Sequence, residues 1–268
     1  MTTPLEFDRY CDEIPRGLGE LRSAVTSGTA LSTTVPTCPE WTLEDLALHT
    51  GRALRWAGHL VRTRATEHVP VDAVPGSTAP AVPGDAGALD AWLAEAGARL
   101  VEALREAGPD AAVWSWAAVH RADFWARRMT HELVVHGADA VLAAGRPLPG
   151  VPADVAADAI DEWLEILRFT QRALPDGRER ELRGGPGRTL HLHATDAPPE
   201  LDAEWLVELT EDGIAWRRGH EKAAVALRGP LDAVLFAFYR RLSPDAPELE
   251  VLGERELLDF WLERASFG

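Results

Sequence analysis

The sequence predicts a two-domain α+β protein, a helical bundle followed by a smaller mixed unit, and three observations carry that reading. Up to about residue 170, apolar residues recur every three or four positions in long segments, the period of amphipathic helices. Beyond residue 187 the alternation of period two that marks strands takes over, with a hairpin signal at Glu211-Asp212-Gly213. Between them, Gly177 to Gly187 is charged and glycine-rich, so the boundary is expected within 170–187, with 1–175 as the helical domain and 176–268 as the α+β domain.

The elements follow in order. Pro4 is positioned as the first residue of a helix carrying Ile14, Leu18, Leu21 and Val25 and stopping at Ser27-Gly28, with Pro15 expected to bend or restart it. Thr42 and Asp45 have capping-box spacing, and Trp41 and Leu46 occupy the staple positions across that cap. The helix it opens runs to about Thr66, with Leu46, His49, Ala53, Trp56 and Leu60 along one face, which puts His49 inside the apolar stripe. Residues 67–87 read as a long irregular connection, a kind that is often functional or mobile. A third helix is expected over Leu89–Ala107, with Trp92, Leu93, Ala96, Leu100 and Leu104 inward. A fourth, over Arg121–Ala144, has Trp125, Met129, Glu132, His136, Ala140 and Ala143 on one face. After the stiff Pro147–Pro152 junction, Val155, Ala159, Trp163 and Ile166 mark a fifth helix. Strands are then expected at Thr189–Thr195, Trp205–Thr210, from Ile214, at Ala223–Gly229 and around Leu249–Leu252, with helices over Leu231–Leu242 and Glu254–Ala265.

Composition narrows the function classes. The 268 residues carry 43 acidic against 27 basic side chains, a formal charge of −16, which disfavours a phosphate backbone as partner. No apolar run approaches the ~20 residues of a membrane span and no secretory leader is visible, so a cytoplasmic protein without membrane or nucleic-acid partners is expected. The two cysteines, Cys11 and Cys38, are too few for a disulfide framework or a cysteine zinc site. Cys38, beside Pro39 near a helix start, reads as a small buried residue.

The chemistry concentrates in Arg128–Asp139, which imitates the protease signature His-Glu-x-x-His with the wrong spacing. At about 100° per residue, His131 and His136 point roughly 140° apart, whereas Glu132 and His136 share a face within about 40°. With His49 they make two imidazoles and one carboxylate on inward faces of two helices. That donor set suits zinc with an open fourth position, or non-haem iron, and Asp139 is spaced to orient His136. Spacing alone leaves the ordinary reading open, in which His49 is a hydrogen-bonded core histidine and Glu132 pairs with Arg128. His191 and His193 share a strand face, but as two donors without a third they read as structural.

At these residues the chain resembles the mycothiol-dependent maleylpyruvate isomerases and their DinB-like relatives. The resemblance rests on Val35-Pro-Thr-Cys-Pro-Glu-Trp-Thr-Leu-Glu-Asp-Leu-Ala-Leu-His49 and on Arg127-Arg-Met-Thr-His-Glu132-Leu-Val-Val-His136-Gly-Ala-Asp139. It covers nearly the whole chain. It implies a DinB-like four-helix bundle, then a sterol-carrier-like α+β domain, with His49, Glu132 and His136 as ligands of zinc or another divalent metal. It also implies mycothiol as thiol co-substrate, a small electrophile as its target, and an isomerase or S-transferase acting as monomer or homodimer. Arg240 stands where the family's second domain often carries arginine and is the expected catalytic contact to substrate. The chain departs from the family at Gly137, where arginine is frequent, which reads as room left beside the metal. A non-catalytic binding or regulatory module and a thiol-independent zinc hydrolase are the alternatives.

Overall fold

The computed structural model describes residues 4–173 and 181–265. Its chain divides into two compact units, Leu5–Pro149 and the part from Gly150 onward. In the first, four helices form the bundle: α1 (Phe7–Val25), α2 (Leu43–Thr63), α3 (Ala86–Ala107) and α4 (Ala122–Ala143). A short antiparallel ribbon, β1 (Thr34–Val35) and β2 (Cys38–Thr42), precedes α2. Helix α1 begins after Glu6 and passes unbroken through Pro15. A proline inside a helix removes one backbone donor, and here the remaining ladder on both sides keeps the helix continuous.

The expected capping box is present. Thr42 Oγ1 accepts from the Asp45 amide at 3.1 Å and the Asp45 carboxylate accepts from the Thr42 amide at 3.0 Å. Helix α2 ends at Thr63 with Arg64 in the left-handed region, three residues short of the expected Thr66. Its buried face is centred on Leu43, Ala47, Thr50, Leu54, Ala57 and Val61 rather than on the His49 stripe. The cause is close helix approach: a Cβ on Gly51 would lie 2.0 Å from the Trp92 ring of α3. His49 therefore sits at the margin of the core, not inside it.

Helix α4 is buried on most of its circumference, and α1 packs chiefly against it. At their crossing, a Cβ on Gly137 would lie 3.3 Å from the Gly17 carbonyl oxygen and one on Gly17 would lie 3.0 Å from Leu133 Cβ. The space at Gly137 is thus filled by α1, which corrects the expectation that this glycine leaves room beside a metal. Up to the start of α3 at Ala86, the 67–87 connection holds one 3-10 turn, at Val71–Ala73. It is tied down by the indole N–H of Trp56 on the Val69 carbonyl at 2.7 Å and that of Trp92 on the Gly76 carbonyl at 3.1 Å.

The second unit holds α5 (Ala153–Ala173), β3 (Thr189–Ala194), β4 (Glu204–Thr210), β5 (Gly213–Arg218), β6 (Val225–Gly229), α6 (Leu231–Phe238), β7 (Glu250–Gly253) and α7 (Arg255–Arg264). The sheet order is β5-β4-β3-β6-β7, antiparallel except for the parallel β3/β6 pair. Helix α5, counted with the bundle from its period, belongs with this sheet. Its polar side chains are satisfied there: Asp161 accepts from Trp205 Nε1 at 2.8 Å and from Arg218 at 2.6 Å, and Gln171 Oε1 accepts from the Ile214 amide at 3.0 Å. The compact division therefore falls at the Pro147–Pro152 junction, while the expected 175/176 boundary and the start of the glycine-rich loop lie outside the described residues. Among the described residues no helix is long and apolar enough to cross a membrane.

Candidate metal centre of the bundle

The capped start of α2 fixes the rotation of that helix, and His49, two turns on, faces Glu132 and His136 of α4. One donor atom from each of the three lies within 4.8 Å of the others. His49 Nε2 and His136 Nε2 each stand 3.2 Å from the same oxygen, Glu132 Oε1. The other oxygen, Oε2, accepts from Arg128 at 3.0 Å. The ordinary partner of Glu132 and the ligand geometry thus coexist, one on each carboxylate oxygen. His131 points away, fully buried, with its ring edge-on to Tyr10 at 6.1 Å.

Asp139 is the organiser of this set. It is fully buried, accepts from Thr37 Oγ1 in the loop between β1 and β2, and stands 3.0 Å from His136 Nδ1. A proton on Nδ1 directed at Asp139 leaves Nε2 to face the site. The Trp41 ring, from β2, packs at 4.7 Å from the His49 ring and 6.1 Å from that of His136. The spacing marked Trp41 only as a staple of the α2 cap and gave Thr37 no role, since what brings both to the site is the ribbon's packing against residues distant in the chain.

Electrostatics matches the geometry. Burial alone would push the Glu132 carboxyl up, but the His136 charge, hydrogen bonds from both histidines and the Arg128 charge hold it well below the usual carboxylate range. Burial would likewise push His136 down, yet the Glu132 charge and the hydrogen bonds to Asp139 and Glu132 raise it to about 9. Both carboxylates beside His136 thus favour its protonated form when no metal is bound. The donors fit a dication: two imidazole nitrogens and an ionised carboxylate oxygen converge from two rigid helices. The His49 side chain is 41% exposed against 19% for Glu132 and 12% for His136, so the set opens to one side at His49.

Arg240, in the second unit, follows α6 with φ +66 and an exposed side chain, lining a small open hollow with Arg241 and Ser243. Cys38 is a partly exposed thiol in no disulfide, on β2, rather than a buried one, whereas Cys11 is buried and its thiol is pushed up to about 11, chiefly by burial. Alkylation under native conditions should therefore modify Cys38 and spare Cys11, as peptide mass mapping would show.

Residues 11–141 match the family model described as the mycothiol maleylpyruvate isomerase N-terminal domain, and residues 154–260 match that of the MDMPI C-terminal domain. No curated protein matches the chain. Two solved structures do: a crystal structure of the mycothiol-dependent maleylpyruvate isomerase, at TM-score 0.57 and 16% identity, and one of a mutant of it, at TM-score 0.56 and 17% identity. Each alignment covers 94% of this chain and 97% of the other, a likeness of fold over both units.

Proposed function

Because the chain belongs to the mycothiol-dependent maleylpyruvate isomerase family, we propose that it is an isomerase or S-transferase that uses a divalent metal, zinc foremost, to activate mycothiol. The observation that carries this reading is the convergence of His49, Glu132 and His136 donor atoms within 4.8 Å, open on the His49 side. His49, Glu132 and His136 would hold the metal, which would supply a Lewis acid able to ionise a thiol at neutral pH. Arg128 holds Glu132 Oε2, which keeps Oε1 directed at the histidines, and Asp139 holds the His136 ring. The Trp41 ring covers one flank of His49 and limits water there.

The thiolate then adds to one carbon of an activated cis double bond, rotation follows about the resulting single bond, and expulsion of the same thiolate gives the trans product. In a transferase the thiolate either displaces a leaving group, which departs with its bonding pair, or adds to an activated double bond whose neighbouring carbon then takes up a proton, and in both cases the sulfur stays attached. Arg240 is proposed as the cation that binds a carboxylate of such a substrate, a role its exposed guanidinium supports. Arg240→Ala is expected to raise KM for a diacid roughly tenfold or more, in line with loss of a hydrogen bond to a charged group.

The test is turnover of maleylpyruvate and a panel of electrophiles by metal-replete protein, with and without mycothiol. Activity that needs both thiol and metal is the expected result. Turnover without thiol would overturn it in favour of a zinc hydrolase, and metal retention without any thiol consumption would favour a binding module. Asp139→Asn should weaken metal binding by about 10–100-fold, because His136 loses the acceptor that orients it. Competition with a chromophoric chelator measures this directly.

A further inference from the structure

The sheet of the second unit assembles a separate set of metal-type donors. His191 and His193 alternate along β3 and so share a face, and His193 pairs directly across the ladder with Glu204 of β4. His220 lies two residues beyond β5, where the Gly219 amide donates to the Glu204 carbonyl at 3.0 Å and extends the β5/β4 ladder by one bond. Strands β3 and β4 and the segment just after β5 thus deliver three imidazoles and one carboxylate to one place. Donor atoms of His191, His193, Glu204 and His220 all lie within 4.8 Å of one another. The three rings form a nearly equilateral triangle with centroids 5.2, 5.2 and 5.4 Å apart.

At the centre of this triangle stands a single oxygen. Glu204 Oε2 is 2.8 Å from His191 Nε2, 2.7 Å from His220 Nδ1 and 3.4 Å from His193 Nδ1. Two of these contacts, from His191 and His220, are hydrogen bonds and occupy the two lone pairs of that oxygen, and His193 stands 3.4 Å away as a third imidazole beside an acceptor already engaged. We propose that His191, His193, Glu204 and His220 form a second, four-ligand site for a late first-row divalent cation, zinc above all, independent of the bundle site.

Three neutral imidazoles and a carboxylate select Zn²⁺, Ni²⁺ or Cu²⁺ over Mg²⁺ and Ca²⁺, which prefer oxygen ligands. Bonds of about 2.0–2.1 Å in a tetrahedron need donors roughly 3.4 Å apart, which side-chain rotation from the present spacing can reach. Four protein ligands fill a tetrahedron, the pattern of a structural ion rather than a catalytic one. Such an ion fastens the segment after the edge strand β5 to β3, across β4.

The experiment is zinc titration of the full chain, stripped of metal, against a chromophoric chelator. Wild type should take up two equivalents, and His49→Ala should leave one. His220→Gln, whose native side chain is 70% exposed, and His193→Gln should each remove the other equivalent or weaken it at least tenfold. Both variants should keep the metal-free melting temperature of the parent and lose the rise that zinc gives it. An anomalous-scattering map of zinc-soaked crystals should show an ion bonded to all four side chains. Uptake unchanged in both histidine variants, or zinc held there only at millimolar concentration or displaced by Mg²⁺, would overturn the proposal. A single equivalent in wild type that survives His49→Ala but not His220→Gln would remove the bundle site and leave this one standing.

Discussion

Replacing His49 by alanine is expected to strip the bundle site of its metal and to lower thiol-dependent turnover roughly a thousandfold, the rate equivalent of the several kcal/mol that a Lewis acid contributes. The fold should survive, because His49 lies at the rim of the core with 41% of its side chain exposed. Metal analysis and the melting temperature in chelator separate the two effects: the first should fall by one equivalent and the second stay put. Metal binding at the proposed site is also expected to displace a proton. His136 has a pKa of about 9 without metal, so at neutral pH its Nε2 proton must leave as the ligand bond forms. Calorimetry in buffers of differing ionisation enthalpy should register release of about one proton at pH 7, declining as pH passes 9. The sign for stability is opposite. A histidine whose folded pKa is raised stabilises the metal-free protein fully below the unfolded value near 6.5 and loses that contribution as pH rises through about 9. The lowered Glu132 acts at the other end, contributing above the unfolded carboxyl pKa and losing it as pH falls through its own. Metal-free protein should thus gain most from this pair in mildly acidic solution, whereas metal affinity should rise with pH.

Gly137→Arg is expected to destabilise the bundle by about 3 kcal/mol, the upper part of the usual range for overpacking a core. A Cβ at this position would already stand 3.3 Å from the Gly17 carbonyl oxygen and 3.4 Å from Glu20 Cβ. A guanidinium on that side of α4 must part α4 from α1, its main packing partner. Urea denaturation should show a lower midpoint with an unchanged slope. Stability equal to the parent's would mean that the two helices separate without cost at this crossing.

What could be read from the sequence was what depends on near neighbours. Thr42 and Asp45 are three apart, and their reciprocal hydrogen bonds form as that spacing implies. Glu132 and His136 share a helical face whatever the helix packs against, and Asp139 reaches the ring three residues before it. The strands of the second unit announced themselves by alternation. What could not be read depends on residues distant in the chain. The burial of α2 is set by how closely α3 approaches Gly51, so His49 was assigned to the core when it lies beside it. Helix α5 has a strong period, but its period does not say that Asp161 and Gln171 will find partners on β4 and β5. His191 and His193 were visible as a pair, while Glu204 and His220 join them only through strand register. A glycine such as Gly137 is silent in a sequence about what occupies the space beside it.

The crossing of α1 with α4 also bears on how the protein is made. The bundle's first helix has its main partner in the bundle's last, so on the ribosome the α1 surface around Gly17, which meets Leu133 and Gly137, must wait for α4 to emerge, although Leu18 can already pack on α3 beside Gly97. Closing so long a loop is entropically slow compared with neighbouring contacts, and α2 and α3 can pair meanwhile. Glu132 and His136 arrive on that same last helix. During synthesis, therefore, docking of α4 completes the hydrophobic core and the ligand set in one event, and a nascent chain shorter than α4 has neither.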